Sequence, residues 1–135
     1  QSKLIHCAPQ SSEITAARQA GAAFALIPST WDVFNFTCVE AMGQGVPVIC
    51  STGAGASSLI EDGINGFVFE NGNPHALANA ISRCTSMSEA ERIAMAEAAR
   101  SSIERELNPA RVAEKYLQAY QMTTKKSRQP IAHGL

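Results

Sequence analysis

Short apolar runs that alternate with helical segments are the feature that most restricts how this chain can fold. The runs lack the alternation of apolar and polar residues found in a strand with one solvent-facing side, so each is expected to be buried on both sides. Four strands are predicted on this basis, over Leu4–Ala8, Ala22–Ile27, Val46–Cys50 and Gly66–Phe69. Because helical segments separate the runs, we expect an α/β fold in which helices flank a parallel sheet.

Helix start signals lie between these strands. Ser11 is a candidate N-cap for a helix that runs to Gly21, with Ile14 and Ala17 facing inward. A further short helix is predicted over Ser58–Asp62, after the turn that follows the third strand.

After residue 70 the sequence predicts helices only, which form a helical C-terminal tail. Their start signals are two Asn-Pro pairs and a capping box, at Asn73-Pro74, Asn108-Pro109 and Ser88/Glu91. Leu77, Ile81 and Cys84 share one face of the first of these helices, which predicts a buried face. Tyr116 and Tyr120 have helical spacing on the last helix, which favours packing over a cofactor-binding role.

Composition limits the number of domains and the classes of function. At 135 residues the chain suits one domain, which we place at residues 1–124, with a flexible basic tail over residues 125–135. A net charge of −1 gives no field that attracts nucleic acid. The four cysteines lack metal-binding spacing and favour a reducing compartment, and we expect no signal peptide. We expect a cytoplasmic protein, either free or peripheral at the inner face of the membrane.

The stretch PSTWDVFNFTCVEAMGQG, residues 28–45, joins a predicted strand to a predicted helix and contains two acidic residues, Asp32 and Glu40. Three interpretations of such a pair are open. The two carboxylates are surface residues without a function, the acid and base of a glycosidase-like site, or hydrogen-bond acceptors for the hydroxyls of a ligand. The position of the pair favours the last interpretation, because open parallel sheets bind ligands beyond the carboxyl ends of their strands.

The start of this helix supplies groups that suit a phosphate. Asn35 is a plausible N-cap, which places the amides of Phe36 and Thr37 at the helix tip, where anions bind. Glu40 lies on the same face, one turn deeper. Carboxylates accept hydrogen bonds from paired hydroxyls, such as those of a sugar or a ribose. A sugar joined to a nucleoside through a diphosphate satisfies all of these features.

Short motifs occur in a fixed order along the chain: Pro28-Ser29, Asp32-x7-Glu40, Glu40-Ala41-Met42, Gly45-x-Pro47-Val48 and Asp62-Gly63-x-Asn65-Gly66. Together they resemble the retaining glycosyltransferases of family four (group 1), which have the GT-B fold. The resemblance runs from about Leu4 to Ala80. It implies that the chain is most of the Rossmann-like, nucleotide-sugar-binding C-terminal domain of such an enzyme. It also implies a UDP- or GDP-sugar donor, and transfer that needs no bound metal or other cofactor.

The resemblance further implies a role for each matching residue. Asp32 is the implied catalytic residue and holds the hydroxyls of the donor sugar. The amides of Asn35, Phe36 and Thr37 bind the diphosphate and the sugar, and Glu40 holds the ribose diol. Asp32 stands where the family usually has Glu, which is one methylene longer.

Other parts of such an enzyme are expected to lie outside this sequence. The resemblance implies an N-terminal domain of the same enzyme, which binds a sugar, lipid or small-molecule acceptor. It also implies basic residues ahead of Leu4 that neutralise the leaving diphosphate. We therefore expect this chain to be inactive by itself, and an unpaired sheet edge predicts self-association.

Alternative interpretations rest on weaker patterns. Gly53-Ala54-Gly55 follows a strand as in dinucleotide-binding proteins, but the helix after it is shorter than a crossover between parallel strands requires. A glycosidase needs one protonated and one ionised carboxylate, whereas helix amides favour the charged form of a carboxylate. A non-catalytic nucleotide- or nucleotide-sugar-binding domain remains an open alternative.

Overall fold

The computed structural model of this protein describes residues 8–126 and contains a three-stranded sheet in the order β1-β2-β3. The strands are β1 (Ala25–Ile27), β2 (Val48–Ser51) and β3 (Gly66–Phe69). Both pairings are parallel, with Leu26 opposite Ile49 and Ile49 opposite Phe67. The predicted α/β class with a parallel sheet is therefore confirmed.

The first part of the chain differs from the prediction in one strand. The strand expected over Ala22–Ile27 begins only at Ala25, whose amide donates to the carbonyl of Pro47 (2.9 Å). The Ala22 amide instead donates to Gln19 and closes the end of the preceding helix, so it cannot join the sheet. The strand predicted over Leu4–Ala8 lies outside the described residues apart from Ala8.

Five α-helices and one 3₁₀ helix occur in the described part of the chain. The α-helices are α1 (Ser12–Ala20), α2 (Phe36–Gly43), α3 (Pro74–Thr85), α4 (Glu89–Glu106) and α5 (Pro109–Lys126). Ser11 and Asn73 cap α1 and α3 as predicted. The Ser88/Glu91 capping box also forms, since each residue's amide donates to the side chain of the other.

The sheet is covered on both faces, as buried apolar strands require. On one face, Met42 of α2 packs in a cluster with Val48 of β2. On the other face, Ile49 packs with Phe69 of β3 and with Cys84 of α3. Successive residues of β2 thus enter opposite clusters, because side chains alternate along a strand.

The helix predicted over Ser58–Asp62 is instead a 3₁₀ helix over Gly55–Leu59. The side chain of Asn65 explains where it stops. Its oxygen accepts from the Glu61 amide (2.7 Å) and its nitrogen donates to the Leu59 carbonyl (3.1 Å). Because these two backbone groups bond to Asn65, they cannot form helical hydrogen bonds. The chain therefore leaves the helix and leads to β3.

The inward orientation predicted for Ile14 and Ala17 is wrong, because both residues are exposed. Helix α1 contacts α2 near the C-terminal ends of both helices. There the half-buried side chain of Gln19 accepts a hydrogen bond from the side chain of Gln44 (3.5 Å). The apolar residues of the first turns therefore have no cover from α2.

The chain divides into two compact units, residues 1–103 and 104–135. In the described part of the second unit, Lys115 of α5 lies 3.8 Å from Glu106. Tyr116 and Tyr120 are 63% and 69% exposed, contrary to the packing predicted for them. Among the described residues of this unit, the last turn of α4 and the following loop are the segments that could cover α5. Apart from the end of α5, the predicted tail over residues 125–135 lies outside the described residues.

Candidate functional site

The loops that follow the three strands lie at one edge of the sheet, because the strands are parallel; we call this the carboxyl edge. The loop after β1 leads to α2 and carries Asp32. The loop after β2 contains Gly53 and Gly55, and the loop after β3 contains Asn71. Ligands of open parallel sheets bind at this edge. The predicted site residues that follow β1 therefore lie where a ligand of this fold would bind.

The carboxylate of Asp32 is held by its own loop. One oxygen accepts from the amide of Phe34 (3.1 Å), and the other accepts from the side-chain nitrogen of Asn35 (2.9 Å). An ionised carboxylate offers about four acceptor positions. Positions therefore remain for the hydroxyl groups of a ligand, and Asp32 is only half-buried.

Asn35 is the N-cap of α2, as predicted. Its side-chain oxygen accepts from the amide of Cys38 (3.0 Å), while its side-chain nitrogen donates to Asp32. The amides of Phe36 and Thr37 precede the first intrahelical hydrogen bond and have no acceptor within the helix. One side chain therefore connects the carboxylate to the start of α2, whose first two amides lack intrahelical acceptors, as at helix ends that bind anions.

Glu40 is apart from this network. It lies on the exposed side of α2, one turn beyond the tip. In the described part of the chain, its carboxylate forms no hydrogen bond or ion pair. The structure thus brings Asp32, Asn35, Phe36 and Thr37 together and leaves Glu40 available at the flank.

The segment Gly53-Ala54-Gly55 supports the loop that carries Asp32. The Asp32 amide donates to the Gly53 carbonyl (3.0 Å), and the Gly55 amide donates to the Asp32 carbonyl (2.8 Å). A side chain on Gly55 would overlap the carbonyl oxygen of Val33. The two glycines were visible in the sequence, but only the fold shows which backbone they approach.

Exposed apolar residues flank Asp32 along the chain. Trp31, Val33 and Phe36 are 82%, 77% and 71% exposed, and the Phe34 and Phe36 rings meet edge to face with centroids 5.3 Å apart. A cluster of exposed apolar residues is typical of a surface that contacts a ligand or another part of a protein.

The thiol of Cys38 is buried just below the tip of α2. Its hydrogen bond to Cys50, together with burial, raises the pKa of the Cys38 thiol well above its usual range. A thiol that stays protonated is a poor nucleophile, so a catalytic role for Cys38 finds no support.

One surface cavity of the described residues lies away from this site. It has a volume of about 580 Å³ and is lined by Ile64, Phe67, Arg83 and Met87, among others. A smaller cavity of about 260 Å³ lies at the carboxyl edge, beside Thr30 and Asn71. Among residues 8–126, no group of three or more His, Cys, Asp or Glu side chains is arranged to hold a metal ion. None of the described helices is long and apolar enough to cross a membrane.

Comparison with curated sequences gives relatives that transfer sugars. The chain is 30% identical over 101 residues to a glycogen synthase from Thermodesulfovibrio yellowstonii, covering 75% of this chain and 20% of that protein. It is 32% identical over 75 residues to a D-inositol 3-phosphate glycosyltransferase from Streptomyces griseus, covering 55% of this chain and 16% of that protein. The chain therefore spans a fifth or less of the length of these relatives.

Solved structures agree in fold. Sucrose-phosphate synthase from Thermosynechococcus elongatus superposes with a TM-score of 0.69 at 25% identity, over 84% of this chain and 28% of that one. The Anabaena protein Alr3699/HepE, in complex with UDP and glucose, superposes with a TM-score of 0.66 at 25% identity. That match covers 78% of this chain and 29% of the Anabaena chain. These neighbours support the Rossmann-like architecture of the sheet and its helices.

The sequence model of the family described as glycosyl transferases group 1 matches residues 5–102. The matched span includes α2 and all three loops of the carboxyl edge, in agreement with the resemblance found in the sequence. The chain therefore belongs to the group 1 glycosyl transferases.

Proposed function

We propose that this chain provides the nucleotide-sugar-binding part of a retaining glycosyltransferase whose donor is a UDP- or GDP-sugar. The observation that carries the proposal is the Asp32 carboxylate, which is hydrogen-bonded to the cap of α2 directly before the helix tip. An acceptor of hydroxyl hydrogen bonds and two phosphate-binding amides then lie side by side at the carboxyl edge.

In this proposal the diphosphate of the donor lies against the amides of Phe36 and Thr37. During transfer, the bond from the sugar carbon to the diphosphate oxygen breaks. The acceptor hydroxyl oxygen bonds to that carbon, and its proton passes to an oxygen of the departing diphosphate. Negative charge grows on the departing diphosphate, and amides already directed at it stabilise the transition state more than the ground state.

The two carboxylates have separate roles in the proposal. Asp32 accepts hydrogen bonds from hydroxyls of the donor sugar, because it precedes the helix tip and lies beyond the phosphate position. Glu40 accepts from the ribose diol, because it lies one turn along the exposed side of α2. The half-buried carboxylate is already oriented by Phe34 and Asn35, which favours binding without further ordering.

The Anabaena structures support the nucleotide part of this proposal. Alr3699/HepE was solved with UDP, with UDP and glucose, and with UDP-glucose, at 25% identity to this chain. The remaining parts of the proposed enzyme are an N-terminal domain and a sugar, lipid or small-molecule acceptor. We place the enzyme in the cytoplasm, free or at the inner face of the membrane.

The test uses the complete enzyme that contains this chain. Titration calorimetry with UDP and GDP is expected to show binding of at least one. The matching nucleotide sugar should then be transferred, with the donor's anomeric configuration retained in the product by NMR. Binding without transfer to any acceptor would favour the non-catalytic alternative. Absence of binding by both nucleotides would contradict the proposal.

Removal of the Phe36 amide makes this test sharper when it is compared with Phe36→Ala, which loses the ring but keeps the amide. Phe36 is the first residue of α2, where proline is tolerated, and Asn35 before it is extended, as a residue preceding proline should be. Phe36→Pro is expected to weaken nucleotide binding by about 1.5–3 kcal/mol, the usual contribution of a hydrogen bond to a charged group. Ser12→Pro is the matched control, because Ser12 begins α1 after an extended residue and lies outside the site.

A further inference from the structure

Asn71 lies in the loop after β3 and reaches across the carboxyl edge to the loop that carries Asp32. Its side-chain nitrogen donates to the carbonyl of Thr30 at 2.7 Å, two residues before Asp32. Its own amide donates to the side-chain oxygen of Thr52 at 2.9 Å. A single residue therefore contacts the loops that follow both other strands.

A closed ring of hydrogen bonds fixes the orientation of this side chain. The hydroxyl of buried Ser51 donates to the side-chain oxygen of Asn71 (3.4 Å) and accepts from the amide of Gly53 (3.0 Å). The carbonyl of Gly53 accepts from the amide of Asp32 (3.0 Å). The backbone from Asp32 back to Thr30 completes the ring, because the Thr30 carbonyl accepts from the Asn71 side chain. Every donor in the ring has an acceptor.

Packing does not replace this contact. The cavity of about 260 Å³ beside Thr30 and Asn71 leaves that side of the loop without a filling side chain. Thr30 is exposed beside this cavity, and its carbonyl lies close to Gly53 of the β2 loop, so the hydrogen bond from Asn71 and the approach of Gly53 together position it.

We propose that Asn71 is a positioning residue, which sets the Thr30–Asp32 backbone so that the Asp32 carboxylate meets the donor sugar. This inference rests on the proposed function of Asp32. Without the Asn71 side chain, the loop should shift while α2 and its phosphate-binding amides stay in place. Misplacement of a reacting group by about 1 Å is enough to lower turnover about 100-fold.

The first measurement tests the contact itself, by hydrogen–deuterium exchange on the complete enzyme. Asn71→Ala should accelerate exchange of the Asp32 amide, which is protected by Gly53. Asn73→Ala is the control for lost stability, because Asn73 caps α3 through the amides of His75 and Ala76 and forms no hydrogen bond with Thr30. Unchanged exchange in Asn71→Ala, or equal acceleration in both variants, would overturn the inference.

The second measurement tests the role in turnover by a double-mutant cycle. Asn71→Ala should lower kcat about 10- to 100-fold with little change in nucleoside diphosphate affinity, and Asn73→Ala should lower it far less. If Asn71 acts through Asp32, the variant carrying both Asn71→Ala and Asp32→Asn should turn over no more slowly than Asp32→Asn alone. Losses that multiply would overturn the inference and leave the proposed function standing. Full turnover by Asp32→Asn would overturn both.

Discussion

Asp32 is oriented by its own loop before any ligand arrives. Its side chain is one methylene shorter than the Glu usual at this position in the family, and it bonds to the amide two residues ahead, a turn that aspartate favours. The second oxygen contacts Asn35, so the carboxylate and the helix cap form one unit. At the level of single residues, the candidate site is therefore preorganised around Asp32.

Replacing this carboxylate should separate turnover from nucleotide binding. Asp32→Asn is expected to lower kcat sharply, because an amide cannot accept through both of its terminal atoms. Affinity for the free nucleoside diphosphate should stay nearly unchanged, because Asp32 precedes the phosphate-binding amides. Steady-state kinetics and titration with UDP and GDP check this; a parallel fall in both quantities would require another role for Asp32.

Glu40 should act on the nucleotide alone. Because its carboxylate is exposed and unpaired among residues 8–126, Glu40→Gln should leave folding unchanged. Binding of UDP or GDP is expected to weaken by about 1–3 kcal/mol, measured by calorimetry on the complete enzyme. Glu97→Gln, at an exposed position of α4, serves as the control. Equal affinity of Glu40→Gln and the wild type would contradict the assignment to the ribose.

The loops after β1 and β2 approach each other closely at the carboxyl edge, and the position of Asp32 depends on this approach. The loop after β2 passes so near the loop after β1 that neither Gly53 nor Gly55 has room for a side chain. Neither residue is among the glycines with positive φ, so the requirement is space and not backbone conformation. These glycines allow Asp32 to form its two backbone hydrogen bonds across the gap.

A methyl group at this approach should loosen the site. Gly55→Ala is expected to lower the free energy of unfolding by about 1–3 kcal/mol, as overpacking does. Gly21→Ala is the matched control, because Gly21 has φ −90° and a side chain there meets its nearest atoms at 3.8 Å. Chemical denaturation of this chain checks both variants. Equal stability of Gly55→Ala and the wild type would show that the two loops separate readily.

The start of α4 should make stability depend on pH. Hydrogen bonds from Ser88 hold the pKa of Glu91 below its usual range. A carboxyl group whose pKa is lowered by folding stabilises the protein above its unfolded pKa of about 4.3, and that contribution is lost as the pH falls through the folded pKa. The melting temperature of Glu91→Gln should therefore lie below that of the wild type at neutral pH and approach it in acid. A difference that does not change with pH would contradict this.

At the scale of the whole molecule, the sheet formed by the described residues is open at its sides. In the described residues β1 is an outer strand of the three-stranded sheet, and its residue Leu26 is 40% exposed. An unpaired edge invites pairing with another strand. In the proposed enzyme the N-terminal domain also supplies the second wall of the cleft, which this sheet alone does not form.

We therefore expect this chain by itself not to catalyse glycosyl transfer. Holding donor and acceptor together in a closed cleft accounts for about 7–11 kcal/mol of barrier lowering, which one wall cannot supply. Incubation with UDP- and GDP-sugars and candidate acceptors should give no turnover above hydrolysis, and sedimentation should show self-association. Turnover above that background would contradict the proposed division of the enzyme.

The sequence by itself determined the local parts of this protein. Buried apolar runs specified β2 and β3 to within two residues, because continuous apolar segments have few other places in a domain. Asn35 and the Ser88/Glu91 box marked helix starts correctly, because capping depends on residues two or three positions apart. The carboxyl-edge position of Asp32 followed from the order of strand, loop and helix.

Only the tertiary structure decided the contacts between distant segments. The bond from Asn71 to Thr30 joins residues 41 positions apart, and an Asn-Gly pair after a strand indicates no more than a turn. The need for glycine opposite Val33, and the exposure of Ile14 and Tyr116, depend equally on what lies nearby in space. Such neighbours are set only when β2 pairs between β1 and β3 and brings the three loops to one edge.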